Sequence, residues 1–312
     1  MSSRLSDQTV SITTPSATPA SLGRPIAAAL GAYVTWGLFP LYFAVLSMVP
    51  ASEVLANRIL WSLLLVGLIA MAGRHRAEIR SIIIRRRILG LLCLSALAIA
   101  CNWLVYIHAA QSGHAVDGSL GYYINPLVSV VLGVVFLGER PRAAQIVAFL
   151  LALAGVVWIA AAGQGLPWIA IALALSFGAY GLLRKIAAVG ALAGLLIETL
   201  VLAPLALIWL AVLWGRSEMA MPAADPVVVV LLVATGAVTA VPLLMFGFAA
   251  PRLPLGLLGF LQYVNPTCQL AVAVFLLGET VSDAHGVAFV LIWIALALYT
   301  GDAVLARRRS LR

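Results

Sequence analysis

Residues 123–139, YINPLVSVVLGVVFLGE, and residues 263–279, YVNPTCQLAVAVFLLGE, are one segment written twice at an offset of 140. Tyr, Asn and Pro open both copies, and Leu-Gly-Glu closes both. The match continues through Val147-Ala148-Phe149 and Val287-Ala288-Phe289, and 12 of the 29 positions from 123 to 151 are identical. A biased apolar composition produces a few coincidences, but not a polar Asn, a Pro and a Glu in register. The chain therefore reads as an internal duplication.

What is duplicated is lipid-soluble. Of 312 residues, 63% are apolar and only 10% charged, and mean hydropathy is +1.10. Soluble domains run about 45–50% apolar and about 25% charged. These values exclude a water-soluble globule, a disordered chain and a disulfide scaffold. Cys93, Cys101 and Cys268 each lie in an apolar run and are expected to be buried small hydrophobes.

A membrane helix needs about 20 apolar residues. Ten such runs are present, near 26–48, 54–72, 88–110, 117–138, 143–162, 167–188, 192–213, 227–250, 256–277 and 284–304. The expected fold is an all-α integral membrane protein of ten transmembrane helices. Residues 1–24, rich in Ser and Thr, are expected to be a disordered cytoplasmic tail, not a signal peptide. Residues 25–163 form the first repeat, 164–305 the second, and 306–312 a basic cytoplasmic tail.

Five spans per repeat is an odd number, so the second copy enters the membrane from the opposite side. That is an inverted-topology repeat. With the N-terminus in the cytoplasm, 17 of the 19 Lys and Arg residues fall inside, Arg216 falls outside and Arg58 lies within a span. This satisfies the positive-inside rule, with both termini cytoplasmic. The basic stretch at 74–87 is then a topology signal, with anionic lipid a secondary partner and nucleic acid no partner. Arg over Lys, 18 to 1, together with abundant Ala and Leu, fits a GC-rich bacterial genome and hence an inner-membrane location.

These segments resemble a known family. Tyr33-x-x-Trp36-Gly37 and Tyr42-Phe43 lie in span 1, Asn57-Arg58-x-x-Trp61-Ser62 in span 2 and Asn102-Trp103 in span 3. Ser119-Leu120-Gly121-Tyr122-x-Ile124-Asn125-Pro126-Leu127 follows in span 4. The second half carries Ser176-Phe177-x-x-Tyr180-Gly181-Leu182-x-Arg184-Lys185, Ile197-Glu198-Thr199 and Gln262-Tyr263. From about residue 25 to 305 the chain resembles the EamA-type permeases of the drug/metabolite transporter superfamily, and among them the RarD group. The resemblance implies ten spans, movement of small metabolites or drugs, and a solute site between spans 1, 3, 4, 6, 8 and 9.

Polar groups inside a bilayer are costly, so each is a candidate for function. Trp36, Asn102, Trp103, Tyr106, Tyr122, Tyr123, Asn125, Gln262, Tyr263 and Asn265 combine aromatic faces with amide and phenol groups. They are the candidate substrate-binding set. Interface anchoring by Tyr and Trp and interhelical bonding by Asn are the plainer alternatives.

Arg58, Asp117, Glu198 and His108 are the candidate gate or coupling charges. Arg58 and Glu198 are equivalent at the 140 offset, so inverted symmetry puts them at opposite depths and they should not pair. Arg58 is expected near Asp117, and Glu198 near Arg184, Lys185 or Arg252. Neither reaches the midplane, which favours gate or packing contacts over a substrate or proton site. His108 is expected to be a packed structural histidine.

Pro126 and Pro266 are candidate hinges. Gly138 and Gly278 read as helix C-caps, Pro141 as the first turn of span 5, and Glu139 and Glu279 as surface groups.

No G-K-[ST], H-E-x-x-H or G-x-S-x-G is present, nor any metal-ligand spacing or filter-like motif. The expectation is a carrier with no cofactor, no metal and no catalytic residues. It would be driven by the solute gradient or by proton exchange through Glu198, His108 or Asp117. A non-transporting membrane scaffold or assembly factor is the alternative.

Overall fold

A computed structural model describes residues 19–73, 75–138, 140–253, 257–258 and 261–310, and among them it is all-helical, with no strand. The first span is α1 (Pro19–Gly37) and α2 (Phe39–Val45), broken at Leu38 just ahead of Pro40. Then come α3 (Ala51–Ala72), a short α4 (Arg76–Ile84), α5 (Arg86–Gln111) and α6 (Ala115–Leu137). α7 (Ala143–Ile159) runs on through a π-turn at Ala160–Gln164. The second half holds α8 (Trp168–Ala187), α9 (Ala191–Gly215), α10 (Pro226–Ala249), α11 (Val264–Ala271, continued by a π-turn at Val272–Leu276) and α12 (Asp283–Ser310).

Among the described residues, nine helices are long and apolar enough to cross a membrane, and Val264–Leu276 is a shorter apolar helix. The span expected at 256–277 falls partly on residues outside those described.

Several boundaries differ from expectation. Residues 19–24, assigned to the tail, are the opening turns of α1, and residues 1–18 lie outside the described residues. α3 starts at Ala51, ahead of residue 54, because Glu53 is fully buried yet bonded to backbone amides, so its charge does not push the helix start outward. The basic stretch is not a plain loop: α4 lies within it. Pro141 precedes the cap residue Arg142, outside α7. α12 runs to Ser310, past the expected end at 304, into the basic tail.

The exposure pattern is that of a protein solvated by lipid. Leu64, Leu68 and Met71 of α3 and Leu205, Leu207 and Ile208 of α9 point outward, while Glu53, Arg58, Asn102, Glu198 and Gln269 are buried. Water would reverse that arrangement. Cys101 is exposed and Cys93 and Cys268 are half-buried, so the expected burial fails for Cys101; an apolar solvent accepts the thiol on the surface.

Helix packing uses close backbone approaches. A Cβ added at Gly236 of α10 would lie 2.5 Å from the Trp61 backbone of α3. One added at Gly121 of α6 would lie 2.7 Å from the Ala170 carbonyl of α8. Small residues at such crossings let van der Waals contact replace the hydrophobic effect, which is absent between helices in lipid. Around these crossings α8 packs on α5 and α6, α3 on α9 and α10, α1 on α10 and α11, and α7 on α12.

Both expected glycine caps are left-handed, Gly138 at φ 66° and Gly278 at φ 71°, a conformation in which a Cβ is strained. Glu139 lies outside the described residues.

Candidate functional site

The polar interior begins at Asn102 on α5. Its amide nitrogen donates to the Leu173 carbonyl and to Ser176 Oγ of α8, both at 3.1 Å, and its oxygen accepts from the Tyr122 hydroxyl of α6 at 3.0 Å. One amide therefore joins α5 and α6 to α8. Tyr106, one turn along α5, stacks edge-on to Tyr122 with ring centroids 5.6 Å apart. Its hydroxyl is buried and has no partner among the described residues.

Arg58 stands beside this cluster. It is 3% exposed. Its guanidinium carbon lies 4.2 Å from the Trp103 ring centroid, 5.4 Å from Phe39 and 5.6 Å from Phe43. Nε donates to Thr239 Oγ1 of α10 at 2.8 Å, while Nη1 is buried without a partner among the described residues. The expected pairing with Asp117 is not formed. The two Asp117 oxygens instead face His285 Nε2 at 3.1 Å and His114 Nδ1 at 3.4 Å. Asp117 starts α6, where a residue from the N-terminus of α12 reaches it first.

Glu198 has the expected partner. Arg184 Nη1 lies 3.6 Å from Oε1, an ion pair longer than a hydrogen bond. Ser95 donates to Oε1 at 2.6 Å and Tyr180 to Oε2 at 3.5 Å. Arg252 turns elsewhere, onto its own helix at the Phe248 carbonyl and ring. Among the described residues Arg58 and Glu198 do not pair with each other.

The rest of the candidate set divides. Tyr123, adjacent to Tyr122, faces the other way, with its hydroxyl 2.7 Å from Thr267 Oγ1 and its ring against Phe289 and Trp293 of α12. Tyr263 packs in the same apolar cluster. Trp36 stacks with Tyr33 and Phe246. Gln269, which was not a candidate, bonds the Trp36 carbonyl and Asn265 Oδ1, at 3.4 and 2.9 Å. Asn125 is half-buried with an unpartnered Oδ1, and Gln262 is half-buried. Asn102, Trp103, Tyr106 and Tyr122 are thus brought together, and Tyr123, Tyr263, Asn265 and Trp36 are not among them.

His108 departs from expectation. It is exposed on α5, 6.1 Å from the Trp168 ring, on the outward face of the helix. α6 runs unbroken through Pro126. Pro266 falls in the first turn of α11, where a missing N–H is harmless, and its carbonyl accepts from Ser119 Oγ of α6 at 2.9 Å.

Side chains cross-link the loops at one end of the bundle, the arginine-poor one. Glu279 accepts from the amides of Ala115 and Val116 at 2.8 and 2.9 Å, capping α6 from across the bundle. Glu53 does the same for Ala220 and Met221 at 2.9 and 2.8 Å. Gln111 donates to the carbonyls of Leu46 and Val49. A cleft of about 260 Å³ beside the Glu279 tie is lined by His114, Asp117, His285, Glu279, Trp168 and Gln164.

Sequence reasoning missed Glu53, Ser95, Ser176, Thr239 and His285. Glu53 carried a signal, a carboxylate one turn before Asn57 at the edge of an apolar run. Ser176 lay in a family-like segment, but Ser95 and Thr239 carried no signal, since Ser and Thr are ordinary in membrane helices.

Comparison with known proteins follows the same lines. Residues 23–161 match the EamA-like transporter family. An uncharacterized transporter of Pseudomonas aeruginosa is 44% identical over 300 residues, covering 93% of this chain and 97% of that protein. The protein RarD of Escherichia coli (strain K12) is 42% identical over 282 residues, 90% of this chain and 95% of its own. The chloramphenicol-sensitive protein RarD of Pseudomonas aeruginosa is 31% identical over 297 residues, 93% of this chain and 98% of its own. A crystal structure 22% identical to this chain superposes with a TM-score of 0.58, covering 92% of this chain and 100% of that one, a likeness of fold.

Proposed function

The chain belongs to the EamA-like transporter family, alongside the proteins named RarD, and from that premise we propose that it is a secondary carrier. It moves a small metabolite or drug-like solute across the bacterial inner membrane by alternating access, with both termini cytoplasmic. It performs no chemistry on the solute.

The observation that carries this reading is the Asn102 junction. A buried amide bonded to Tyr122, Ser176 and the Leu173 carbonyl sits where residues 25–163 meet residues 164–305. That seam is where a solute site belongs if the halves rock against each other. The helix packing supports an inverted repeat. Exchanging each span for its counterpart turns the α6–α8 packing into α11–α1, α5–α8 into α10–α1 and α3–α10 into α9–α5, and all of these are contacts.

The ties at the arginine-poor end join the halves through Asp117–His285 and Glu279. In the proposed cycle they form the gate on the side away from the cytoplasm. Of the three groups considered for proton exchange, Glu198 and Asp117 stand between helices of the two halves and His108 does not. A proton-coupled cycle would run through the first two.

The test is sided labelling. A single cysteine replaces Tyr122 in a chain whose Cys93, Cys101 and Cys268 are alanine, and a membrane-impermeant maleimide is applied from each face of oriented vesicles. A carrier is labelled from both faces. A static scaffold is labelled from one face or neither, and that result would reject the proposal.

A further inference from the structure

Two buried ions occupy equivalent places in the two repeats, and the protein treats them differently. Glu198 is neutralised from within by Arg184 and hydrogen-bonded by Ser95 and Tyr180. Arg58 is as deeply buried, and among the described residues no carboxylate reaches it. Glu53, one turn earlier on α3, has both oxygens on the amides of Ala220 and Met221, and Asp117 is held by two histidines. Arginine stays protonated in proteins, so the charge is not escaped by losing a proton. A buried charge lacking a counter-ion is among the costliest features a fold can keep.

The surroundings combine hydrogen-bond donors with flat apolar faces. Arg58 Nη1 is an orphan donor, and so is the hydroxyl of Tyr106. The two are neighbours: the Tyr106 ring lies 6.2 Å from Phe43 and 6.5 Å from Phe39, the same rings that face the guanidinium. Trp103 covers the guanidinium at 4.2 Å. Two unmet donors, one positive charge and three flat apolar faces converge between α2, α3 and α5, and Thr239 adds α10 of the other half.

We propose that Arg58 is the anion-binding residue of the transport site, and that the solute is a small carboxylate with a flat apolar body. The carboxylate docks on Arg58 and the Tyr106 hydroxyl, and the body lies against Trp103, Phe39 and Phe43. This rests on the carrier reading and names its substrate class. The solute supplies the counter-ion that the chain withholds. The empty carrier keeps an uncompensated charge, and loading relieves it.

The experiment measures thermal unfolding of the full-length protein in detergent with sodium benzoate, phenylacetate and inorganic phosphate. Benzamide and benzylamine serve as the neutral and cationic counterparts. Benzoate and phenylacetate are expected to raise the midpoint by a few degrees at concentrations well above their Kd, by mass action, and phosphate less. Benzamide and benzylamine are expected to leave it unchanged.

Arg58→Met keeps the stem and removes the charge. It is expected to abolish the benzoate response while raising the midpoint of the unliganded protein, because an uncompensated buried ion has gone. A purely structural arginine would show the reverse, a lower midpoint. Tyr106→Phe, which removes one hydroxyl, is expected to weaken benzoate binding several-fold, and it decides the matter if Arg58→Met does not fold.

The proposal is overturned if no anion shifts the wild-type midpoint, if benzamide shifts it as much as benzoate, if the benzoate response survives in Arg58→Met, or if it is unweakened in Tyr106→Phe. Labelling at position 122 judges the carrier reading separately. A chain labelled from both faces but indifferent to anions would lose the anion site and keep the transport mechanism.

Discussion

Glu198 shows what one side chain can demand of a membrane fold. Its carboxylate is 1% exposed and depends on Arg184, Ser95 and Tyr180 for every favourable contact. Removing one partner leaves the other charge stranded, whereas replacing both with apolar groups removes the problem. We expect Arg184→Ala to lower stability by about 3–5 kcal/mol, as for other broken buried pairs. The double change Arg184→Met, Glu198→Leu should recover most of that loss. Thermal unfolding of the two variants beside wild type measures it, and additive losses in the double variant would show that the pair is not a unit.

At the scale of elements, the spans meet through backbone. Gly236 and Gly121 sit where α10 crosses α3 and α6 crosses α8, and a methyl group has no room at either. Gly236→Val should destabilise by about 1–3 kcal/mol or more, the usual cost of overpacking. Gly90 of α5 has nothing within 4 Å of an added Cβ, so Gly90→Ala should be neutral or stabilising by up to about 1 kcal/mol. Equal effects of the two substitutions on the unfolding midpoint would contradict the crossing geometry. The same scale explains the shifted helix ends. Hydropathy reads where apolar residues stop, but a helix stops where its terminal amides find acceptors, and for α6 those acceptors are the Glu279 oxygens, 163 and 164 residues away in sequence.

For the molecule as a whole, the proposed cycle makes the ties at the arginine-poor end the contacts that bias which state is populated. A hydrogen bond to a charged group contributes about 1.5–3 kcal/mol, enough to shift a two-state equilibrium by tenfold or more. Glu279→Gln keeps the shape and weakens the two bonds to Ala115 and Val116. In vesicles it should speed labelling of a cysteine at position 122 from the arginine-poor face at least several-fold, and slow it from the other face. An unchanged ratio of the two rates would show that Glu279 is only a cap for α6.

The membrane class, the helical content and the family were legible in sequence because each depends on composition and short motifs. Twenty apolar residues in a row permit one solution in lipid, and Asn125-Pro126 with Leu137-Gly138-Glu139 repeats too specifically to be chance. The glycine caps were legible too, since the left-handed turn at Gly138 is a property of one residue. The separation of Tyr122 from Tyr123, the outward turn of His108, the capture of Asp117 by His285 and the seating of Arg58 among aromatic rings were decided by tertiary structure alone. Each is a question of which face of a helix meets which neighbour. Neighbours far apart in sequence settle that by competing for the same few buried donors and acceptors.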